Sequence, residues 1–280
     1  MRNPSRVLRL GHIAYSNCEP VHARLLRPDR PAGIEIVAGT PAELNRALAE
    51  GAVDVAPASS IEFARHRDRY RILPELSISS RGPVRTILLL STVPGPELDG
   101  ATVALPTASA TSVVLLKILL ELRDGLRPRY AWFRQESEDP FRERAEGVKA
   151  ALYIGDAAAA LGRKAPRAHV YDLGAEWTRW TGLPFVFALW QTPLGDERRD
   201  DLRALHARLL ESRAWALERL GELARERAAA LGWPPAELEA YWRSLDYGLD
   251  DALVAGLREF YRRAAELGEI DAAPELVFLE

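Results

Sequence analysis

Val53-Asp54-Val55-Ala56-Pro57-Ala58-Ser59-Ser60-Ile61-Glu62 is the stretch on which the fold turns. Its first half is β-like, with apolar residues at Val53, Val55 and Ala56. Its second half sets a hydroxyl at Ser59 and a carboxylate three residues later at Glu62. That is the spacing of a capping box, so a helix is expected to start at the strand's carboxyl end. A strand that hands over to a helix so quickly is the repeating unit of an open α/β sheet.

The same logic recurs on the amino-terminal side. Thr40-Pro41-Ala42-Glu43 combines a capping Thr, a proline at the first helical position and a Glu that completes the box, and Leu44, Ala47 and Leu48 carry the helix to Gly51. Strands are expected at 7–13, 34–38, 53–56, 85–91, 102–105, 131–133, 151–154 and 169–171, with a further buried strand in 185–190 after Pro184. Val113-Val114-Leu115-Leu116 and Ile118-Leu119-Leu120 predict a helix buried on nearly all sides. From about Asp196 onward the chain reads as helical, and Leu249, Leu253, Val254, Leu257, Phe260, Tyr261, Ala264 and Leu267 give the last helix one apolar face.

With 280 residues and 48% apolar content, the chain exceeds one typical core, and two lobes are expected. No low-complexity linker occurs, so strands near 85–91 and 183–191 are expected to cross between them. The first lobe would then comprise 1–91 and 183–280, with residues 92–182 inserted as the second.

Composition excludes several classes of function. The 37 basic and 40 acidic residues are well mixed at a net charge of -3, which argues against nucleic acid as a partner. Neither a signal-peptide pattern nor 18 consecutive apolar residues is found, so a soluble cytoplasmic protein without membrane association is expected. Cys18 is the sole cysteine, and His12, His22, His66, His169 and His206 are scattered in sequence without an i, i+4 pair, so no metal is expected. Glycine-rich phosphate loops and a G-x-S-x-G elbow are also missing, and no cofactor is expected.

Polar residues gather instead at the carboxyl ends of the expected strands, where helix N-termini attract anions. They are Asn17 after the first strand, Ser59 and Ser60 after the third, Thr107 to Ser112 in the second lobe, and Asp156 after Ile154-Gly155. Singly, each hydroxyl is accounted for as a helix cap worth about 1 kcal/mol. Thr107, Ser109, Thr111 and Ser112 supply four hydroxyls where one cap needs one, which points to a carboxylate ligand. Ser77-Ile78-Ser79-Ser80-Arg81-Gly82-Pro83 reads as a polar turn that is a site or merely a solvated loop. Asp156 reads as a helix cap or an acid–base residue, Asp54 as structural, and His12 as a strand residue.

Taken in order, Gly11-His12-Ile13-Ala14-Tyr15-Ser16-Asn17-Cys18-Glu19-Pro20, Gly39-Thr40-Pro41-Ala42-Glu43-Leu44-Asn45, the opening stretch through Phe63, Ser77-Ile78-Ser79-Ser80 and Gly82-Pro83 resemble the chorismate dehydratase family of the futalosine route to menaquinone. The resemblance continues through Val103-Ala104-Leu105-Pro106, Thr111-Ser112, Ile154-Gly155-Asp156-Ala157, Tyr171-Asp172-Leu173-Gly174, Trp177 and Thr181-Gly182-Leu183-Pro184. Ser16, where a larger apolar residue is expected, and His12, where a different basic residue is expected, depart from the pattern.

The resemblance implies a two-lobed, type II periplasmic-binding-protein-like fold, each lobe a mixed, mostly parallel sheet flanked by helices. It implies loss of water from chorismate to give 3-[(1-carboxyvinyl)oxy]benzoate, with no cofactor. In that reading Ser109, Thr111 and Ser112 hold one carboxylate, and Ser59, Ser60 and Ser80 face it from the first lobe, with Ser79 and Thr107 in the same substrate-binding set. Asn17 orients the departing hydroxyl, and Asp156 is a candidate base. The alternatives are the sister 1,4-dihydroxy-6-naphthoate synthase and a non-catalytic small-carboxylate binding protein.

Overall fold

The computed structural model describes residues 7–142, 147–164, 169–195 and 197–280. The reading of the N-terminal stretch Met1 to Arg6 and the helix start at Asp196 lie outside the described residues. In chain order the elements are β1 (Leu8–Ile13), a 3-10 turn (Ser16–Cys18), α1 (Glu19–His22), β2 (Ile34–Gly39), α2 (Pro41–Ala49), β3 (Ala56–Ser59), α3 (Ser60–Arg65) and β4 (Tyr70–Ser80). There follow β5 (Ile87–Ser91), β6 (Thr102–Pro106), α4 (Thr111–Lys117) with a π-helical continuation (Ile118–Arg123), β7 (Arg129–Phe133), β8 (Val148–Ile154), α5 (Gly155–Lys164), β9 (His169–Asp172) and α6 (Leu173–Thr181). The chain ends with β10 (Phe185–Pro193), α7 (Arg199–Glu218), α8 (Leu220–Leu231), α9 (Pro235–Ser244) and α10 (Asp251–Glu266).

The chain divides into two compact units, Met1–Ile78 with Phe187–Asp250 and Pro274–Glu280, and Ser79–Val186 with Asp251–Ala273. It passes from the first to the second inside β4 and returns inside β10. The expected passage at 85–91 is therefore corrected. β5 lies wholly within the second unit, antiparallel to both β8 and β9. β4 escapes a sequence reading because Pro74-Glu75 interrupts its pattern, and Glu75 has a positive φ of 58°. The carbonyls exposed by this kink are satisfied from α7: His206 Nε2 donates to Pro74 O at 2.8 Å, and Arg213 donates to Glu75 O.

In the first unit β1 pairs in parallel with β2, from Leu8 opposite Ile34 to Ile13 opposite Gly39. Val55 bridges the other side of β1 at Leu10. The expected strand at 53–56 is displaced, because 53–55 join β1 through a single β-bridge, Val55 to Leu10, and the regular ladder begins at Ala56, antiparallel to β10. Pro57 and Ala58 are thus strand residues, not loop. The close β1–β3 approach needs Gly11, where a Cβ would stand 2.7 Å from that of Ala56.

The second unit carries a mixed sheet in the order β7-β6-β8-β5-β9. The expected buried helix is found, with Val113 to Leu116 and Ile118 to Leu120 all buried. α10 belongs to this unit, correcting its expected place in the first lobe. Its apolar face explains why: Phe260 lies 4.9 Å from Phe185 and 6.4 Å from Trp177, ring centre to ring centre. At Gly256 a Cβ would meet Pro184 O at 2.1 Å, so the helix rests directly on backbone. Helix does not run to the chain end; beyond Glu266 the tail returns to the first unit, where Phe278 bridges Ile72. No helix among the described residues is long and apolar enough to cross a membrane.

Candidate active site

β1 ends at Ile13, and the 3-10 turn that follows carries Asn17 at its centre. The turn is pinned on both sides. Trp242 Nε1 donates to Ser16 O at 2.7 Å, and Glu19 takes two bonds from Arg227, at 2.8 and 3.0 Å. Asn17 itself is half-buried, and its Oδ1 is a buried acceptor with no hydrogen-bond partner among the described residues. A buried polar atom without a partner costs free energy, so this acceptor is suited to take a hydrogen bond from a ligand or from water.

Ser59 and Ser60 are both buried, at the junction of β3 and α3. The expected capping box is not formed, because Ser59 makes no side-chain cap bond. Its N–H donates instead to Asn45 Oδ1 at 3.0 Å, and the Glu62 carboxylate lies 2.9 Å from His66 Nδ1. Gln191 Nε2 donates to Ala58 O and Ser59 O, so the strand end is fixed by side chains from α2 and β10.

In the second unit Ser79 and Ser80 are fully buried at the end of β4, and Ser80 Oγ donates to Gly82 O at 2.8 Å. Arg81 is exposed. Asp172 organises this turn, accepting from Val84 N at 3.0 Å, Arg85 N at 2.6 Å and Ala175 N at 3.1 Å. Burial pushes the Asp172 carboxyl up, opposed by these N–H donors. Gly174 lets α6 close onto the turn, since a Cβ there would meet Gly82 O at 2.5 Å.

The hydroxyl cluster separates into two kinds of residue. Ser109, Thr111 and Ser112 are buried and lie together at the start of α4. Ser109 Oγ donates to Ser112 Oγ at 3.0 Å and accepts from Ser112 N at 3.3 Å. Thr107 is exposed, its N–H given to Phe133 O. Asp156 stands in the first turn of α5, one residue after Gly155 with its φ of 65°, rather than at the cap.

The scattered appearance of the histidines in sequence is corrected by the fold. His12, Cys18 and His22 are buried together, their ligand-type atoms all within 4.8 Å of one another. His12 Nδ1 lies 3.0 Å from His22 Nδ1, and Cys18 Sγ is 3.7 Å from the same nitrogen. Burial lowers both imidazoles and raises the thiol.

A family model described as menaquinone biosynthesis matches residues 8–266. A chorismate dehydratase of Thermus thermophilus is 36% identical over 90% of this chain and 93% of its own length. The chain belongs to the menaquinone biosynthesis family. A chorismate dehydratase of Campylobacter jejuni is 32% identical over 64% of each chain. Among solved structures, protein AF1704 of Archaeoglobus fulgidus superposes with a TM-score of 0.78 at 19% identity, covering 96% of this chain and 100% of its own. The periplasmic aliphatic sulphonate binding protein SsuA of Escherichia coli gives 0.67 at 14% identity, covering 98% and 94%. These likenesses establish the periplasmic-binding-protein-like fold expected from the sequence.

This menaquinone biosynthesis family member also carries supporting residues that sequence reasoning missed. Asp172 lies in the Tyr171-Asp172-Leu173-Gly174 motif, but its three backbone partners are visible only in the fold. Gln135 holds the end of β8 by a reciprocal pair with Ile154, at 2.7 and 2.9 Å, one residue before the Gly155-Asp156 turn. Trp242 and Arg227 act on the Asn17 turn from 226 and 208 positions away, a separation no local spacing encodes. A small pocket of about 30 Å³ in the second unit, lined by Leu116, Leu119, Leu120 and the Arg123–Glu176 pair, includes none of the expected site residues.

Proposed function

We propose that this protein is a chorismate dehydratase, a hydro-lyase acting in the futalosine route to menaquinone in the cytoplasm. The observation that carries the reading is the unpartnered Asn17 Oδ1, on a chain 36% identical to a protein of that name. In the reaction the ring carbon bearing the enolpyruvyl ether gives up its proton, that electron pair forms a ring double bond, and the neighbouring C–O bond breaks. Hydroxide leaves and takes up a proton as water, and the ring becomes aromatic. The protein has to hold two carboxylates, orient the hydroxyl and exclude bulk water.

An amide both donates and accepts, which suits Asn17 to orienting the hydroxyl, from which its Oδ1 would accept a hydrogen bond. Ser59, Ser60, Ser79 and Ser80, together with Thr107, Ser109, Thr111 and Ser112, are the proposed substrate-binding residues. The buried Ser109–Ser112 pair is suited to a carboxylate, because rotating one hydroxyl frees a donor. Thr107, being exposed, has the weakest claim. The proton is proposed to pass either to Asp156 or to the enolpyruvyl carboxylate of the substrate itself, which sits beside it.

Purified protein is incubated with chorismate in buffer containing a chelator, and products are read by mass spectrometry. A product lighter by one water is expected; unchanged chorismate with measurable binding would leave a binding protein, and turnover dependent on added divalent metal would overturn the metal-free scheme. Asp156→Asn then separates the bases. Near-normal turnover assigns the substrate carboxylate, and a loss of several orders of magnitude in a folded variant assigns Asp156.

A further inference from the structure

The buried imidazole pair beside the Asn17 turn is not used by the scheme above. Its hydrogen bonds have only one consistent direction. Trp190 Nε1 can only donate, and it lies 3.0 Å from His22 Nε2, which must therefore be the unprotonated nitrogen. A neutral His22 then carries its proton on Nδ1, 3.0 Å from His12 Nδ1. His12 accepts there and carries its own proton on Nε2, which lies 4.0 Å from Glu19 Oε1, the carboxylate held by Arg227. Trp190, His22 and His12 thus form a hydrogen-bonded chain in which each link fixes the next tautomer, with the Glu19 carboxylate 4.0 Å beyond it as a nearby charge.

The same geometry argues against a metal at this place. A cation among His12 Nδ1, His22 Nδ1 and Cys18 Sγ would displace the proton of His22 from Nδ1 to Nε2. That N–H would then face the Trp190 N–H at 3.0 Å, donor against donor.

The chain acts on the residues that flank Asn17. Cys18 packs by its sulfur on His22, Glu19 lies beyond the far end, and Ser16 is held by Trp242 from the other side. The neighbours of Asn17 in sequence are thereby fixed by buried aromatic and imidazole groups, while its own acceptor stays unpartnered. We propose that the Trp190–His22–His12 chain, together with Trp242, positions the Asn17 amide for hydroxyl orientation, making these four positioning residues for the dehydration. This rests on the reading of Asn17 given above.

The test is a double-mutant cycle on the full chain with chorismate. Trp190→Phe and Trp242→Phe keep the rings and remove one N–H each. Each is expected to lower kcat about tenfold while KM stays within about twofold, since misplacement costs rate more than anchoring. In an Asn17→Ala background the same substitutions are expected to add nothing, because the residue through which they act is gone. Wild-type kcat in both Phe variants would overturn the inference, and so would the same tenfold loss in the Asn17→Ala background, which indicates a merely structural role. Should Asn17→Ala itself keep wild-type turnover, the reading of Asn17 fails instead. Imidazole nitrogen shifts of the unmutated protein give a readout independent of any variant's folding. A proton on His22 Nδ1 is expected; a proton on Nε2, or stoichiometric zinc retained after dialysis with movement of both imidazoles' shifts, would overturn the chain.

Discussion

The turn that carries Asn17 and the turn from Ser109 to Ser112 stand after strands of similar length, β1 and β6, and both present small polar groups. The second is closed locally, by bonds between Ser109 and Ser112 three residues apart. The first is closed from a distance, by Trp242, Arg227 and, through His22, Trp190. A locally closed turn can yield a hydroxyl to a ligand and re-form with little consequence elsewhere. A turn held by distant elements keeps its geometry only while those elements stay packed, which suits a group that must be aimed rather than one that must merely bind.

The comparison is tested most severely at Asn17. Asn17→Ala is expected to lose about two to three orders of magnitude in kcat with chorismate binding retained, as removing one oriented polar contact does elsewhere. Turnover within a factor of a few of wild type would leave the two turns functionally alike. Arg227→Ala is next. It leaves the Glu19 carboxylate, 4% exposed, without its bidentate partner. The cost is about 3 kcal/mol of stability, read as a lowered urea midpoint; a change under about 0.5 kcal/mol would show that the distant bonds do not hold the turn.

Acidification probes the same frame. Both imidazoles lie below their ordinary value of 6.5 because they are buried, so the unfolded chain takes up protons in a range where the folded chain does not. Their contribution to stability is complete above that value and is lost as pH falls below it, so the urea midpoint is expected to drop between about pH 7.5 and pH 5. A flat profile would mean that the imidazoles accept protons without leaving their places. The smallest effect is expected at the locally closed turn. Ser112→Ala and Thr111→Val should raise KM for chorismate several-fold with kcat nearly kept, and Ser112→Ala should cost about 1 kcal/mol.

The same division between near and far partners governs what the sequence discloses. The Thr40 box is present as read, with Thr40 N donating to Glu43 Oε2 at 2.8 Å and Glu43 N donating to Thr40 Oγ1 at 3.3 Å. Ser59 to Glu62 carries an equivalent pattern and makes no box, because Asn45 and His66 engage its members first. Most strand positions follow from apolar runs, whereas β4 is hidden by Pro74-Glu75, whose carbonyls are served by α7 from more than a hundred positions away. Asn17, Ser59, Ser80 and the Ser109 to Ser112 group are visible as polar residues at strand ends. The imidazole chain is not, since His12, His22 and Trp190 share no motif and meet only after β1, α1 and β10 have packed.

The order of the units along the chain bears on biosynthesis. The second unit is begun at Ser79 and is not complete until Ala273, because α10 supplies Phe260 to its core and Gly256 to the carbonyl of Pro184. The first unit is likewise finished only by Pro274–Glu280, where Phe278 joins Ile72. A ribosome making this protein therefore releases no finished unit early. Each half must hold its unpaired surface until 251–273 and 274–280 have emerged, long after its first strands were made.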